Sequence, residues 1–134
     1  MDRASYHKKM YTVAALWNWI IAVGFIILPR IDMGYFSLAG PIEAPPSLIW
    51  FDNFFSFVFI FGLGYYFISK SITENYGLIK MCICEKIWVF ILAIVYFLIG
   101  HASPLVVLVA FGDFVFGLLF IEDFRTISTI TAQK

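Results

Sequence analysis

Three ionisable side chains stand inside stretches that are otherwise apolar. Glu85 and Lys86 lie in KMCICEKIWVFILAIVYFLIG, and Asp113 lies in LVVLVAFGDFVFGLLF. Asn18 interrupts a third apolar run, residues 11–28. Two carboxylates and one ammonium in such places can move a proton, or they can pair and lock helices together. A charge near a bilayer centre costs at least about 3 kcal/mol, so it turns inward and finds a partner. Lys86 and Asp113 are expected to be such partners, within a buried polar cluster of Asn18, Glu85, Lys86 and Asp113. A second polar group, Arg30, Asp52, Asn53 and His101, falls at segment ends and is expected at the outer rim.

Other chemistry finds little footing. HExxH, CxxC, GxSxG and Walker A patterns do not occur. Cys82 and Cys84, at i,i+2 on a helix, point to nearly opposite faces, which disfavours a disulfide between them. CxC also falls short of the four ligands of a structural zinc site. No metal and no cofactor are therefore expected. His101, in a short turn, reads as an interfacial residue, and Trp17, Trp19, Trp50 and Trp88 as packing or interface anchors.

The elements that must position these groups follow from composition. The 134 residues are 62% hydrophobic and 13% charged, with 16 phenylalanines. Soluble domains carry about 25% charged residues, so most of this surface is expected to face lipid. Net charge is zero, which leaves no basic excess to hold nucleic acid. The expected fold is all-α: one domain of four transmembrane helices in an antiparallel bundle.

The spans are predicted at about 11–28, 48–69, 76–98 and 104–121, with a long extracytoplasmic loop at 29–47. A basic start before an apolar run also suits a secretory signal. The run is long for one and lacks a small-x-small site before Pro29, so a retained helix is expected. Pro29 is expected to end it. Ala14, Asn18 and Ala22 share a face, small residues flanking one amide, as in helix packing within membranes. The loop holds Pro41, Pro45 and Pro46 but also Tyr35 and Phe36, so it reads as an interfacial segment or a lid. Ser47 can cap the second helix. Gly62 and Gly64 read as close helix contacts. In the third segment only thirteen residues, 87–99, are uncharged and apolar. About 20 are needed to span, so Glu85 and Lys86 are drawn into the helix. Gly100 can end it, and Ser103 and Pro104 can cap and start the fourth. Glu122 and Asp123 read as a solvated helix end.

Depth can be gauged at 1.5 Å per residue. Lys86 then lies about 12–15 Å from one membrane face and Asp113 roughly 13–14 Å from the other, meeting near the middle. Four spans put both termini on one side, with Arg3, Lys8, Lys9, Lys70, Lys80, Arg125 and Lys134, against Arg30 on the other. The positive-inside rule predicts cytoplasmic termini.

Residues 62–124 carry GLGYYFISKSITENYGLI, then EK ahead of an apolar run, then FGDFVFGLLF. This stretch resembles small bacterial four-helix membrane proteins, loosely the DoxX-like kind. The resemblance implies an integral protein of the bacterial inner membrane. Some such proteins are small subunits of membrane oxidoreductases that use quinone. No active-site residue is carried over.

Three functions follow as expectations. The first is a non-catalytic accessory subunit, or a binder of a hydrophobic ligand between its helices. The second is a membrane enzyme acting on a lipid or quinone, with Asp113 and Glu85 transferring protons. The third is a proton-coupled small transporter switched by Asp113 and Lys86. The expected partners are membrane lipid, a hydrophobic small molecule, and a partner membrane subunit or a second copy of the chain.

Overall fold

The computed structural model describes residues 3–41, 43–72 and 74–132, without the side chains of 4 and 128–132. The chain is an all-α integral membrane protein. Helices α1 (Arg3–Ile31), α3 (Ile49–Lys70), α4 (Tyr76–Leu98) and α5 (Pro104–Ala132) are the four long elements, and α2 (Phe36–Ala39) is a single turn between α1 and α3. Each long helix contains an apolar stretch of 22 to 27 residues. At 1.5 Å per residue all of them cross a core of about 30 Å.

Polarity runs inside out relative to a soluble protein. Ile20, Trp50, Phe57, Ile60, Trp88 and Leu108 face outward, while Asn18, Lys86 and Asp123 are buried. The buried positions fall at helical spacing on each span. They include Tyr11, Ala14, Ala15, Asn18 and Ala22 on α1, and are Phe55, Gly62, Tyr65, Ile68 and Ser69 on α3. On α4 they are Ile79, Cys82, Lys86 and Ala93; on α5, Ala110, Gly117, Phe120 and Asp123. The closest-packed pairs are α1 with α3 and α4 with α5. At Gly62 a Cβ would lie 2.6 Å from Trp19 Nε1, so glycine is what lets this indole sit against α3. At Gly64 the nearest atom would be 3.5 Å away, an ordinary contact.

A buried core cluster fills the proximal half, the half containing the start of α1, the α3–α4 turn and the last turns of α5. It joins Met10, Tyr11, Ala14, Ala15, Tyr65, Ile68, Ile79, Cys82 and Phe120. The distal end holds the α1–α3 connection and the α4–α5 hairpin. That hairpin closes as the sequence suggests. Gly100 adopts φ 78°, its N–H donates to Phe97 O at 3.0 Å, and His101 N–H donates to Tyr96 O at 2.8 Å, the pairing of a Schellman stop.

Two helices are longer than the apolar runs that reveal them. α1 begins at Arg3 rather than 11 and passes through Pro29 to Ile31. Polar residues do not end a helix, and Arg3 is tied to α5 through Glu122 at 2.8 Å. A proline so near the end forfeits one backbone bond. Beyond it, Asp32 N–H still reaches Leu28 O at 3.0 Å. α5 likewise continues past Ile121 to Ala132.

The α1–α3 connection folds back on the bundle. Asp32 caps a 3-10 turn, Met33–Tyr35, by accepting from Gly34 N–H at 2.8 Å. Phe36 is buried against Phe51, and Tyr35 packs edge-on to Phe25. Burial raises the Tyr35 hydroxyl to a pKa of about 12. Ser103 does not cap α5 with its hydroxyl. It donates instead to Leu38 O at 2.5 Å, and its N–H donates to Ala39 O at 2.6 Å. Ser47 Oγ does accept from Ile49 N–H, at 3.4 Å.

Candidate functional site: a charged centre shared by four helices

Small residues bring the helices close enough for the polar groups to meet. At Gly117 a Cβ would lie 3.0 Å from Ile87 Cδ1 and 3.3 Å from Lys86 Cβ, so α5 can press against α4 beside the lysine. On α1, Ala14 and Ala22 flank Asn18 on its buried face.

Lys86 is fully buried, and its ammonium is the hub. Nζ donates to Asn18 Oδ1 at 2.6 Å and forms a direct ion pair with Asp113 Oδ1. Glu85 Oε2 lies 3.8 Å from the same nitrogen. Asn18 Nδ2 donates in turn to the Val58 carbonyl of α3 at 3.0 Å. Asp113 Oδ1 also accepts from Trp17 Nε1 at 3.2 Å. Glu85 Oε2 accepts from Tyr65 O–H at 2.5 Å, and Lys86 Nζ stands 5.2 Å from the centre of that tyrosine ring. Every span therefore contributes.

The expected cluster of Asn18, Glu85, Lys86 and Asp113 thus stands together. Trp17, expected only as a packing or interface anchor, joins it, as does Tyr65, to which the sequence assigns no role. Their signal was present: Trp17 neighbours Asn18, and Tyr65 falls on the buried α3 face three residues after Gly62. The count of charges matters most. Two carboxylates face one ammonium, so with all three ionised the centre carries one uncompensated negative charge in an apolar interior, which is costly.

The outer-rim group divides. Arg30 forks onto Asp52, Nη1 to Oδ1 at 3.1 Å and Nη2 to Oδ2 at 2.6 Å, and also donates back to Ile26 O. The fork ties the end of α1 to the start of α3. Asn53 turns to its own helix, donating to Ile49 O at 2.8 Å. His101 is exposed in the hairpin.

A second buried polar group, unforeseen from the sequence, lies at the proximal end. Asp123 is wholly buried rather than solvated. His7 Nδ1 is in ion-pair contact with Asp123 Oδ1, and the Tyr11 hydroxyl faces the same carboxylate. The Arg3–Glu122 pair lies alongside, and Arg3, Tyr6, Leu119 and Glu122 line an open groove of about 430 Å³. The spacing 7, 11, 14, 18 on α1 continues the small-and-polar face toward the proximal end, and 113, 117, 120, 123 does so on α5. Among the described residues no three His, Cys, Asp or Glu side chains gather as a metal site would require. Cys82 is buried, Cys84 is exposed, and both thiols are free.

No protein-family model, no curated protein and no solved structure matches the chain.

Proposed function

We propose that this chain is a small, non-catalytic membrane subunit that carries one exchangeable proton at mid-membrane. The observation that carries the reading is the stoichiometry around Lys86: one buried ammonium, two carboxylates, and neutral donors on both acids. One added proton on the Glu85–Asp113 pair makes the centre neutral, and its release restores a charge that the surrounding helices must accommodate. A proton-coupled change in helix packing is what such a centre can do.

Both acids are turned into the bundle. The Glu85 and Asp113 side chains are 12% and 15% exposed, and each is engaged by a second helix. That supports a proton-handling role over catalysis on a lipid or quinone entering from the bilayer. Placement in the inner membrane with both termini cytoplasmic is supported by Arg3, Lys8, Lys9, Lys70 and Lys80, all exposed at the proximal end, against Arg30 at the distal end. The outward apolar faces would meet lipid, a partner subunit or a second copy. The likeness of residues 62–124 to DoxX-like proteins, some of which serve quinone-linked oxidoreductases, supports an accessory role of that kind.

The test is infrared difference spectroscopy on the protein in lipid nanodiscs. A protonated-carboxyl band should be present at neutral pH and should vanish or shift in Glu85→Gln and Asp113→Asn. A second reading is favoured by the engagement of all four spans: the network is a lock that fixes helix packing without exchanging protons. Absence of the band would decide for the lock.

A further inference from the structure

Two buried polar groups share this bundle, one at mid-membrane and one at the proximal end, and a single aromatic ring stands between them. Phe120 is fully buried on α5. Tyr11 stacks on it with centroids 4.7 Å apart and an interplanar angle of 17°, and Tyr65 packs on it at 5.3 Å. The Tyr11 hydroxyl faces Asp123, whereas the Tyr65 hydroxyl donates to Glu85. The two tyrosines thus contact Phe120 through their rings and serve different acids with their hydroxyls. Cys82 of α4 belongs to the same buried cluster as Tyr11, Tyr65 and Phe120. Tyr11 is seven residues from Asn18, so the two groups are separated by roughly 10 Å along α1.

We propose that His7, Asp123 and Tyr11 form the port through which the mid-membrane centre exchanges its proton, with Phe120 as the apolar plug between port and centre. The proposal rests on the proton-carrying reading of that centre. The His7 side chain is 12% exposed, with its Nδ1 buried against Asp123, and Asp123 itself is sealed behind it. A proton held by the imidazole passes to the Asp123 carboxylate. Tyr11 relays by accepting one proton on its oxygen as it releases its own. When the Phe120 ring swings aside, water bridges to Tyr65, which passes a proton to Glu85 in the same way. One proton enters at His7 and one arrives at Glu85; no covalent bond between heavy atoms changes. Arg3, Tyr6 and Glu122 surround the port, Cys82 faces it from α4, and Lys86 and Asp113 lie beyond the plug. Phe120, Ala14 and Ala15 belong to the same buried cluster as the two tyrosines.

The experiment follows hydrogen–deuterium exchange of the centre's carboxyl band after transfer of nanodisc-embedded protein into heavy water. Phe120→Ala should speed exchange about tenfold or more, because an opening that needs ring displacement is replaced by a standing gap. Asp123→Asn should slow it by a similar factor. A band that is present but exchanges at the wild-type rate in both variants overturns the path and leaves the centre's proton intact. A wild-type protein without the band overturns the proton-carrying reading and the path together. Should Phe120→Ala fail to fold, Asp123→Asn decides alone, since an unchanged rate there overturns the path.

Discussion

Trp17 and Gly112 face each other across α1 and α5, and the glycine's missing side chain is what admits the indole. A Cβ at position 112 would lie 2.8 Å from Trp17 Cζ2. With that space open, the indole N–H reaches Asp113 Oδ1 at 3.2 Å. Two substitutions separate space from hydrogen bond. Trp17→Phe keeps an aromatic ring and removes the donor, a loss of about 1 kcal/mol inside a membrane. Gly112→Ala forces the ring away and should cost more, about 1–3 kcal/mol. Thermal unfolding in mild detergent, followed by circular dichroism, ranks the two. The reverse order would mean that the hydrogen bond, not the fit, holds α1 to α5 here.

The proposed orientation is checked by labelling. Glu43 and Glu74 are both exposed, one in the α1–α3 connection and one in the α3–α4 turn. In a Cys82→Ala, Cys84→Ala background, Glu43→Cys should react with an impermeant thiol reagent added to intact cells. Glu74→Cys should react only after the membrane is opened. The opposite pattern would invert the protein and place the His7–Asp123 end outside.

The bundle was legible because lipid demands long apolar runs with satisfied backbones. Residues 104–121 declare themselves by length, 76–98 by the need to draw Glu85 and Lys86 into a run of thirteen apolar residues, and Lys86 and Asp113 by depth. What was not legible arose where hydropathy falls silent. His7 and Asp123 sit in polar stretches, where a charged residue usually faces water. Only the continuation of the buried face through Tyr11 and Phe120 shows that they turn inward. Tyr65 was hidden for another reason: tyrosine is equally at home as a ring in a core or a hydroxyl on an acid. Its partner, Glu85, lies on the next helix, and the inter-helix register that brings them together is not written in either segment. The helix ends at Arg3 and Ala132 were missed because polar residues extend a helix as readily as they terminate one.

The distal connection should behave as a packed cap with an alkaline weak point. Phe36 is buried against Phe51, and Ser103 binds the turn that carries it. Tyr35 is held neutral by burial, with its pKa raised from 10.0 to about 12. Above pH 10 the folded state therefore keeps a proton that the open loop releases. Stability of the docked loop falls as pH rises from about 10 to about 12. Amide exchange at residues 33–40, corrected for intrinsic rate, should accelerate across that window. In Tyr35→Phe the acceleration should disappear. Ser103→Ala should raise the exchange rate at every pH, since it removes the hydroxyl bond to Leu38 O.

The charged centre makes the sharpest energetic prediction, because its three ionisable members are not equivalent. Breaking a buried pair by removing one partner typically costs about 3–5 kcal/mol, since the other charge stays behind. Lys86→Met leaves two carboxylates facing each other, so its loss should lie toward the upper figure. Asp113→Leu leaves Lys86 with Glu85 at 3.8 Å and the Asn18 oxygen at 2.6 Å, so its loss should be smaller. Together the two changes should cost less than their sum by about 0.5–3 kcal/mol, the range for groups in one network. Glu85→Gln is different in sign. It fixes that position in the neutral form, as a bound proton would, while an amide oxygen remains to accept from Tyr65 O–H. It should be neutral or stabilising at neutral pH, against Lys86→Met measured in the same detergent by the same unfolding curve. If Glu85→Gln proves as damaging as Lys86→Met, then Glu85 is the counter-ion that Lys86 depends on. The centre would then be a fully ionised lock rather than a store for a proton.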